Sequence, residues 1–478
     1  MTRARVVHHA GVAWAAAVAG AWLAAASCRT MRDAPLPTLG PEALASPRQD
    51  AGERPIRVGV RVGVEQASVA APGGVSVRGA AAGEKVALLR ALPRATFRPS
   101  VHPGRIRLLE TGDELEHALV RPAEASAELA VDATPYRGVL EVLPAEDDRI
   151  TVVNVVPLEE YLRGVVPNEL APEAFPQIEA QKAQAVAARS YVLAHLGDYS
   201  SRGYDVCATA ACQVYRGSSS EHPLTDRAVA ETRGTVATWR GRPIHAFYTS
   251  TCGGHTEEGA AVFEDGAPYL RGVACATERA LADESRPGGQ WEVRLRPADV
   301  ARAVARYGSV GRVLDLVPTR VGVSGRVVEL RVLGSEGQLE LRGQRVRLGL
   351  GLRESLFVLH RETDAQGAVE RFVITGKGWG HGVGLCQVGA SGMARAGASF
   401  EEILKHYYTG VAVSSLTPLS PAGAAVGAPE TGRLRGTGQP AASAAGFTPA
   451  KRAGSLRRAR APAAGTALQP PSGQIRRF

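Results

Sequence analysis

Apolar and polar positions alternate along Ile56-Arg57-Val58-Gly59-Val60-Arg61-Val62-Gly63-Val64, which predicts a half-buried strand. Shorter runs of the same kind recur at Gly74 to Val77, Ile106 to Leu109, Val139 to Leu143 and Ile150 to Val156, so residues 56–150 read as a β-rich N-terminal region. The pattern then changes. Pro157 to Gly164 has Pro at the first turn, acids next and Gly at the end, the order of a short helix. Gln177 to Ala194 contains no Gly or Pro and carries apolar or small residues on most faces, which predicts a buried central helix. Thr232 to Tyr248 reads as a hairpin turning at Arg240-Gly241-Arg242. Strands at Gly325 to Val332 and Gln338 to Leu341, and helices at Pro297 to Tyr307 and Phe400 to Tyr408, complete the pattern. The expected class is α+β: a β-rich domain with a central buried Ala-rich helix, a substrate cleft and disordered termini.

The ends are different in kind. Residues 1–28 read as a signal peptide, with Arg3 and Arg5 before an apolar run from Ala10 to Ala26. A single membrane anchor is the alternative, since the run is nearly long enough to span a bilayer. Ala25-Ala26-Ser27-Cys28 is similar to a bacterial lipoprotein cleavage site, which makes Cys28 the lipidated residue, although Ala25 stands where that motif prefers Leu. Residues 29–55, with Pro35, Pro37, Pro41 and Pro47, form a linker. Residues 416–478 lack any period and read as a disordered basic tail. Nine cations there (433, 435, 451, 452, 457, 458, 460, 476, 477) face one acid, Glu430, which accounts for eight of the net nine positive charges. The rest of the chain is therefore close to neutral. The tail's expected partners are an anionic envelope polymer or a membrane surface, and an exported chain excludes nucleic acid.

Glu169 is the leading chemical candidate. Its neighbours Val165, Val166, Pro167 and Leu170 are apolar, and a carboxyl in such surroundings keeps its proton to higher pH and can donate it to a leaving group. Capping a helix start is the plainer role for such a Glu. Lys182 and Arg189 lie seven residues apart, on one face of the Ala-rich helix, and need either acidic partners within the fold or the polar groups of a ligand.

Five segments together carry a family likeness: Val165 to Glu169, Gln181 to Tyr191, Cys212 to Tyr215, Ser250 to Glu257 and Gly378-Trp379-Gly380-His381-Gly382-Val383-Gly384. In this order they resemble the stage II sporulation protein D or amidase-enhancer family, over about residues 150 to 415, and the likeness makes residues 151–415 a catalytic domain. The resemblance implies a peptidoglycan lytic transglycosylase, a non-hydrolytic lyase with one catalytic Glu that maps onto Glu169. An ordinary glycosidase needs two carboxylates, and Glu159, Glu160 and Glu173 are the only nearby candidates for a second. A lytic transglycosylase needs none, because the sugar's own 6-hydroxyl attacks C1 and closes a 1,6-anhydro ring. Substrate contacts are expected from Lys182, Arg189, Tyr191, Gln213, Tyr215, Tyr248, Ser250, His255, Trp379, His381 and Gln387. The Gly-rich segment at 378–384 lacks the Lys-Ser/Thr ending of a phosphate loop, so it reads as a tight turn presenting Trp379 and His381. Leu385-Cys386-Gln387-Val388 stands where the family usually has Met-Ser-Gln-Tyr, which keeps Gln387 and loses one Tyr contact.

Six cysteines fall at 28, 207, 212, 252, 275 and 386. In an exported chain pairing is the rule. With Cys28 set aside for lipid and Cys386 for the Gly-rich turn, three connectivities remain, and the preferred one is Cys207 with Cys212 and Cys252 with Cys275. The resemblance keeps a zinc alternative open at Cys207, Cys212 and His255, weakened by Ala211 where the family often has His. Otherwise no cofactor is expected. The expected partners are peptidoglycan glycan strands and, through the amidase-enhancer likeness, a cell-wall amidase. The rival functional reading is a non-catalytic glycan-binding protein that recruits or stimulates such an amidase. A zinc-dependent hydrolase is the third.

Overall fold

The computed structural model describes residues 55–81, 87–263, 266–275 and 289–415. The signal, the linker up to residue 54, Cys28 and the basic tail lie outside them. Strands β1 (Pro55–Val64), β2 (Ala67–Ala81), β3 (Ala87–Pro99), β4 (Ile106–Leu108), β5 (Glu114–Pro122), β6 (Leu129–Val131), β7 (Thr134–Tyr136), β8 (Val139–Ala145), β9 (Arg149–Pro157) and β10 (Val206–Cys207) make one sheet, in the order β10-β1-β9-β8-β5-β4-β3-β2-β6-β7. β5 pairs with β2 as well as with β4, so β2 to β5 close into a small barrel filled by Val77, Phe97, Ile106, Leu108 and Leu115.

The boundary expected at residue 150 is corrected by this sheet. β9 runs through it, paired with both β1 and β8, and β10 adds to β1 in parallel from deep inside the later segment. Alternation along a strand reveals which face is buried but not which strand lies beside it.

Four helices follow: α1 (Leu158–Arg163), α2 (Val166–Glu169), α3 (Ile178–Ala194) and α4 (Pro223–Glu231). The α3 helix is the expected Ala-rich one, and it is wedged between two cores. Ala185, Ala188 and Val192 pack with the barrel side chains, whereas Ala183, Val186, Ala187 and Tyr191 pack with Leu385, Ile403, Leu404 and Tyr407. A helix buried on both sides has no use for a single apolar stripe, and small Ala side chains let both neighbours come close.

The hairpin is formed by β11 (Thr235–Trp239) and β12 (Arg242–Pro243), with Arg240 and Gly241 both at positive φ, as a two-residue turn of the type that matches strand twist requires. Next come β13 (Tyr248–Thr249) and the one-turn α5 (Gly259–Val262). The chain then builds a separate module. Strands β14 (Trp291–Leu295), β15 (Val313–Val321), β16 (Val327–Gly334), β17 (Gly337–Arg342), β18 (Phe357–Thr363) and β19 (Val369–Gly376) form two three-stranded sheets. With α6 (Pro297–Val304) and α7 (Gln344–Leu350) they enclose their own core around Leu316, Leu330, Phe372 and Ile374. After it the chain returns through β20 (Leu385–Cys386), which pairs in parallel with β13, to α8 (Gln387–Arg395), α9 (Phe400–Tyr407) and β21 (Ala412–Ser415). Among the described residues, no helix is long and apolar enough to cross a membrane.

Candidate functional site

Glu169 ends α2, a four-residue helix that starts with Pro167 in its first turn and is buried through Val166 and Pro167. The segment after it is held by Gln181 of α3, whose Nε2 donates to the carbonyls of Leu170 at 3.1 Å and Phe175 at 2.8 Å. The Glu169 carboxyl is half-buried. Its Oε1 accepts the Val214 N–H at 2.6 Å, and the Tyr248 and Gln387 side chains close on the same group. Burial raises its pKa above the usual carboxylate value, and the Val214 N–H, with Tyr248 and Gln387 close by, only partly opposes this. The Tyr248 hydroxyl is buried beside the carboxyl but has no hydrogen-bond partner at bonding geometry. Gln387 Nε2 donates to Gln184 Oε1 at 3.3 Å, which ties α8 to α3 across the site.

Among the described residues no cation pairs with Glu169, and the neighbouring acids are all otherwise engaged or turned outward. Glu159 forms a two-pronged pair with Arg189 at 2.8 and 2.6 Å, Glu160 lies 3.0 Å from Arg137 and 3.6 Å from Arg163, and Glu173 is exposed. Glu169 thus stands as a lone acid with an elevated pKa, flanked by Tyr248, Gln387 and Tyr191. Tyr191 stacks on His195 with ring centres 4.0 Å apart and lies 6.5 Å from Tyr248. His195 lies on the wall of a cleft of about 940 Å³, which His245, Phe247, Phe263, Arg342 and Arg345 also line. Glu169 itself is not on that wall.

Several expected contacts are corrected. Arg189 has no exposed surface, and its guanidinium is consumed by Glu159 and the carbonyl of Thr235. Lys182 is bound to Glu179 and Glu231, each at 2.8 Å. Ion pairing, the structural answer to two cations on a buried face, holds for both. Tyr215 is a core residue: its hydroxyl donates to Asn154 Oδ1 at 2.8 Å and its ring packs on Tyr136 and Tyr161. Gln213 is fully buried, accepting from the Tyr161 hydroxyl and donating to the Ala188 carbonyl, so it supports the site from behind. His255 Nδ1 sits 2.7 Å from the Thr256 carbonyl, in a loop that bridges to Ala274.

Ser250 and Trp379 are exposed, and Arg353 lies over the Trp379 ring at 4.8 Å. His381 does not act as an acid. Burial, with Arg347 and Arg326 adding to it, pushes its pKa down to about 3, and its Nδ1 accepts the Val383 N–H at 3.1 Å. As a neutral ring set edge-on to Phe247 and Phe263 it fixes the Gly-rich turn.

Cys207 and Cys212 form a disulfide. Neither then has a thiolate for a metal, and His255 belongs to a different loop, so the zinc alternative at these three residues does not fit. Cys252 and Cys275 do meet, but with Cys386 as a third sulfur, all within 4.8 Å of one another; Cys386 does not stand apart as its place in the Gly-rich turn implied. Sequence reasoning also missed Gln184 and Tyr161. The signal available was a pair of amides, Gln181 and Gln184, on an otherwise Ala-rich helix.

A β-rich α+β scaffold with a half-buried acid, Glu169, unpaired with any cation among the described residues and enclosed by Val214, Tyr248 and Gln387, defines the class. Residues 146–239 match the family described as stage II sporulation protein, and residues 280–384 match a domain family of unknown function, a span that contains the separate module and runs on through the Gly-rich turn. The chain is 33% identical to stage II sporulation protein D of Bacillus amyloliquefaciens over 281 residues, covering 55% of this chain and 75% of that protein. It is 32% identical to stage II sporulation protein D of Bacillus subtilis over 318 residues, covering 60% and 85%. It is also 28% identical to the amidase enhancer of Bacillus subtilis over 298 residues, covering 53% and 40%. The chain belongs to the stage II sporulation protein D family.

Proposed function

We propose that the chain is an exported peptidoglycan lytic transglycosylase of the cell envelope, with Glu169 as its single acid and base. The observation that carries this is the state of Glu169: half-buried, raised in pKa, unpaired with any cation among the described residues, and without an available second carboxylate nearby. In the first half of the reaction protonated Glu169 gives its proton to the glycosidic oxygen after an N-acetylmuramoyl unit, and the C1–O bond breaks. In the second, the same sugar's O6 bonds to C1 while the ionised Glu169 takes the O6 proton, which restores the starting acid. No water enters, and the intramolecular attack gains several kcal/mol from proximity. Tyr248 and Gln387 supply the hydrogen bonds that hold the sugar against the carboxyl, since both side chains close on Glu169.

Muropeptide mass spectrometry tests the proposal, because anhydro ends are lighter by one water than hydrolysis products. Purified protein is expected to release anhydro-muropeptides, and Glu169→Gln to lower the rate by about 10²–10⁴-fold. Release of hydrated ends, or full activity in Glu169→Gln, would overturn it.

A second reading is favoured by the likeness to the amidase enhancer: a glycan-binding partner of a cell-wall amidase. Under it, Glu169→Gln leaves amidase stimulation intact. The basic tail fits either reading as an electrostatic tether to anionic envelope polymer or membrane.

A further inference from the structure

The cluster of Cys252, Cys275 and Cys386 lies outside the chemistry above. The three sulfurs come from three separate stretches: the loop after β13, the end of that same excursion, and the junction of β20 with α8. All three residues are buried, at 0, 1 and 0% exposure, and their sulfurs lie within 4.8 Å of one another. A disulfide would join two of these sulfurs and leave the third outside the bond. A single ion uses all three, since thiolates about 2.3 Å from a tetrahedral zinc stand about 3.8 Å apart, within the spacing seen here.

We propose that this cluster is a structural zinc site, distinct from the Cys207–Cys212 pair and from Glu169. The fourth vertex falls to the Tyr407 hydroxyl, 3.1 Å from Cys275 Sγ, or to a water bound to it. Three thiolates and a neutral oxygen around a dication leave one negative charge, and the surroundings accept it. Cys386 caps the N-terminus of α8, where its sulfur accepts the Gly389 N–H at 3.4 Å. The buried Arg326 guanidinium, already paired with Glu354 at 3.2 Å, donates to the Cys252 carbonyl at 2.8 Å and so fixes the backbone that carries the first sulfur. The absence of a side chain at Gly389 is part of the site, because a Cβ there would overlap both Cys275 Sγ and the Tyr407 hydroxyl. The ion ties together the segments that carry Tyr248 and Gln387, four residues before Cys252 and one after Cys386.

The test uses the full chain purified without reductant or chelator. Metal analysis is expected to give one zinc per chain, retained on dialysis. Replacement with cobalt(II) should give an intense thiolate-to-metal absorption and strong visible bands of a tetrahedral centre. Cys386→Ser and Cys275→Ser should each lose the metal, whereas the Cys207→Ser/Cys212→Ser double variant should keep it. Cobalt spectra of the unaltered chain decide the matter even if the single variants fail to fold. Zinc-free protein in which two of these three cysteines resist alkylation under denaturing, non-reducing conditions would overturn the site, as would metal retained in Cys386→Ser and lost from the double variant. These readouts do not depend on glycan cleavage, so the site can stand if the transglycosylase reading falls.

Discussion

At the scale of single residues, Glu169 and Tyr248 make opposed demands on stability and activity. Burial raises the Glu169 pKa above its unfolded value, so the favourable contribution of this group is complete below the unfolded pKa and is lost as pH rises through the folded one. Glu169→Gln keeps an oxygen for the Val214 N–H and removes that loss. Thermal melts are therefore expected to show the variant more stable than the parent at pH 8, with the gap closing near pH 4. The same proton is the catalytic acid, so in the proposed enzyme the rate falls on the alkaline side as this pKa is crossed. Tyr248→Phe deletes a buried hydroxyl that lies beside the Glu169 carboxyl without a hydrogen bond of full geometry. Denaturant titration should find it neutral or stabilising by up to about 1 kcal/mol, while glycan cleavage falls roughly ten-fold through loss of one hydrogen bond to the sugar. A drop in both would mean that the hydroxyl serves the fold instead.

At the scale of elements, α3 was the most legible part of the chain, because eighteen residues without Gly or Pro and with Ala throughout admit little else. Its cations were legible as a problem, not as a solution. Arg189 is thirty positions from Glu159, so its partner is set by the packing of α1 on α3; Lys182 meets Glu179 one turn back on its own helix and also Glu231, forty-nine positions on, which α4 brings in. The seven-residue spacing gave no means of choosing between a ligand and an ion pair. Arg189→Met leaves Glu159 buried and without its main partner, which should cost about 3–5 kcal/mol by chemical denaturation. The double variant Arg189→Met/Glu159→Met should recover most of that loss, an outcome that a glycan-binding Arg would not give. Glu169 was legible from its apolar neighbours, whereas the Val214 N–H and Gln387 that flank it come from segments 45 and 218 positions away.

At the scale of the whole molecule, strand positions were readable from alternation and the arrangement of the sheet was not. A reader of the sequence sees Ile56 to Val64 and Ile150 to Val156 as separate runs in two regions, yet they are neighbours in one sheet. The module around Leu330 and Phe372 likewise hid inside the expected catalytic segment, since nothing in its strands announces that their apolar faces meet only each other. Such a module, inserted between the Cys275 region and the Gly-rich turn, should unfold with some independence. Hydrogen exchange is expected to report two protection levels, one for residues 291–376 and one for the barrel with α3.

The Val214 amide that steadies the acid lies two residues beyond the Cys207–Cys212 bond, which closes the short loop leading to it. A chain still in reducing surroundings lacks that clasp, and its carboxyl loses a fixed bearing. Reduction of that one bond thus reaches the acid through the backbone alone.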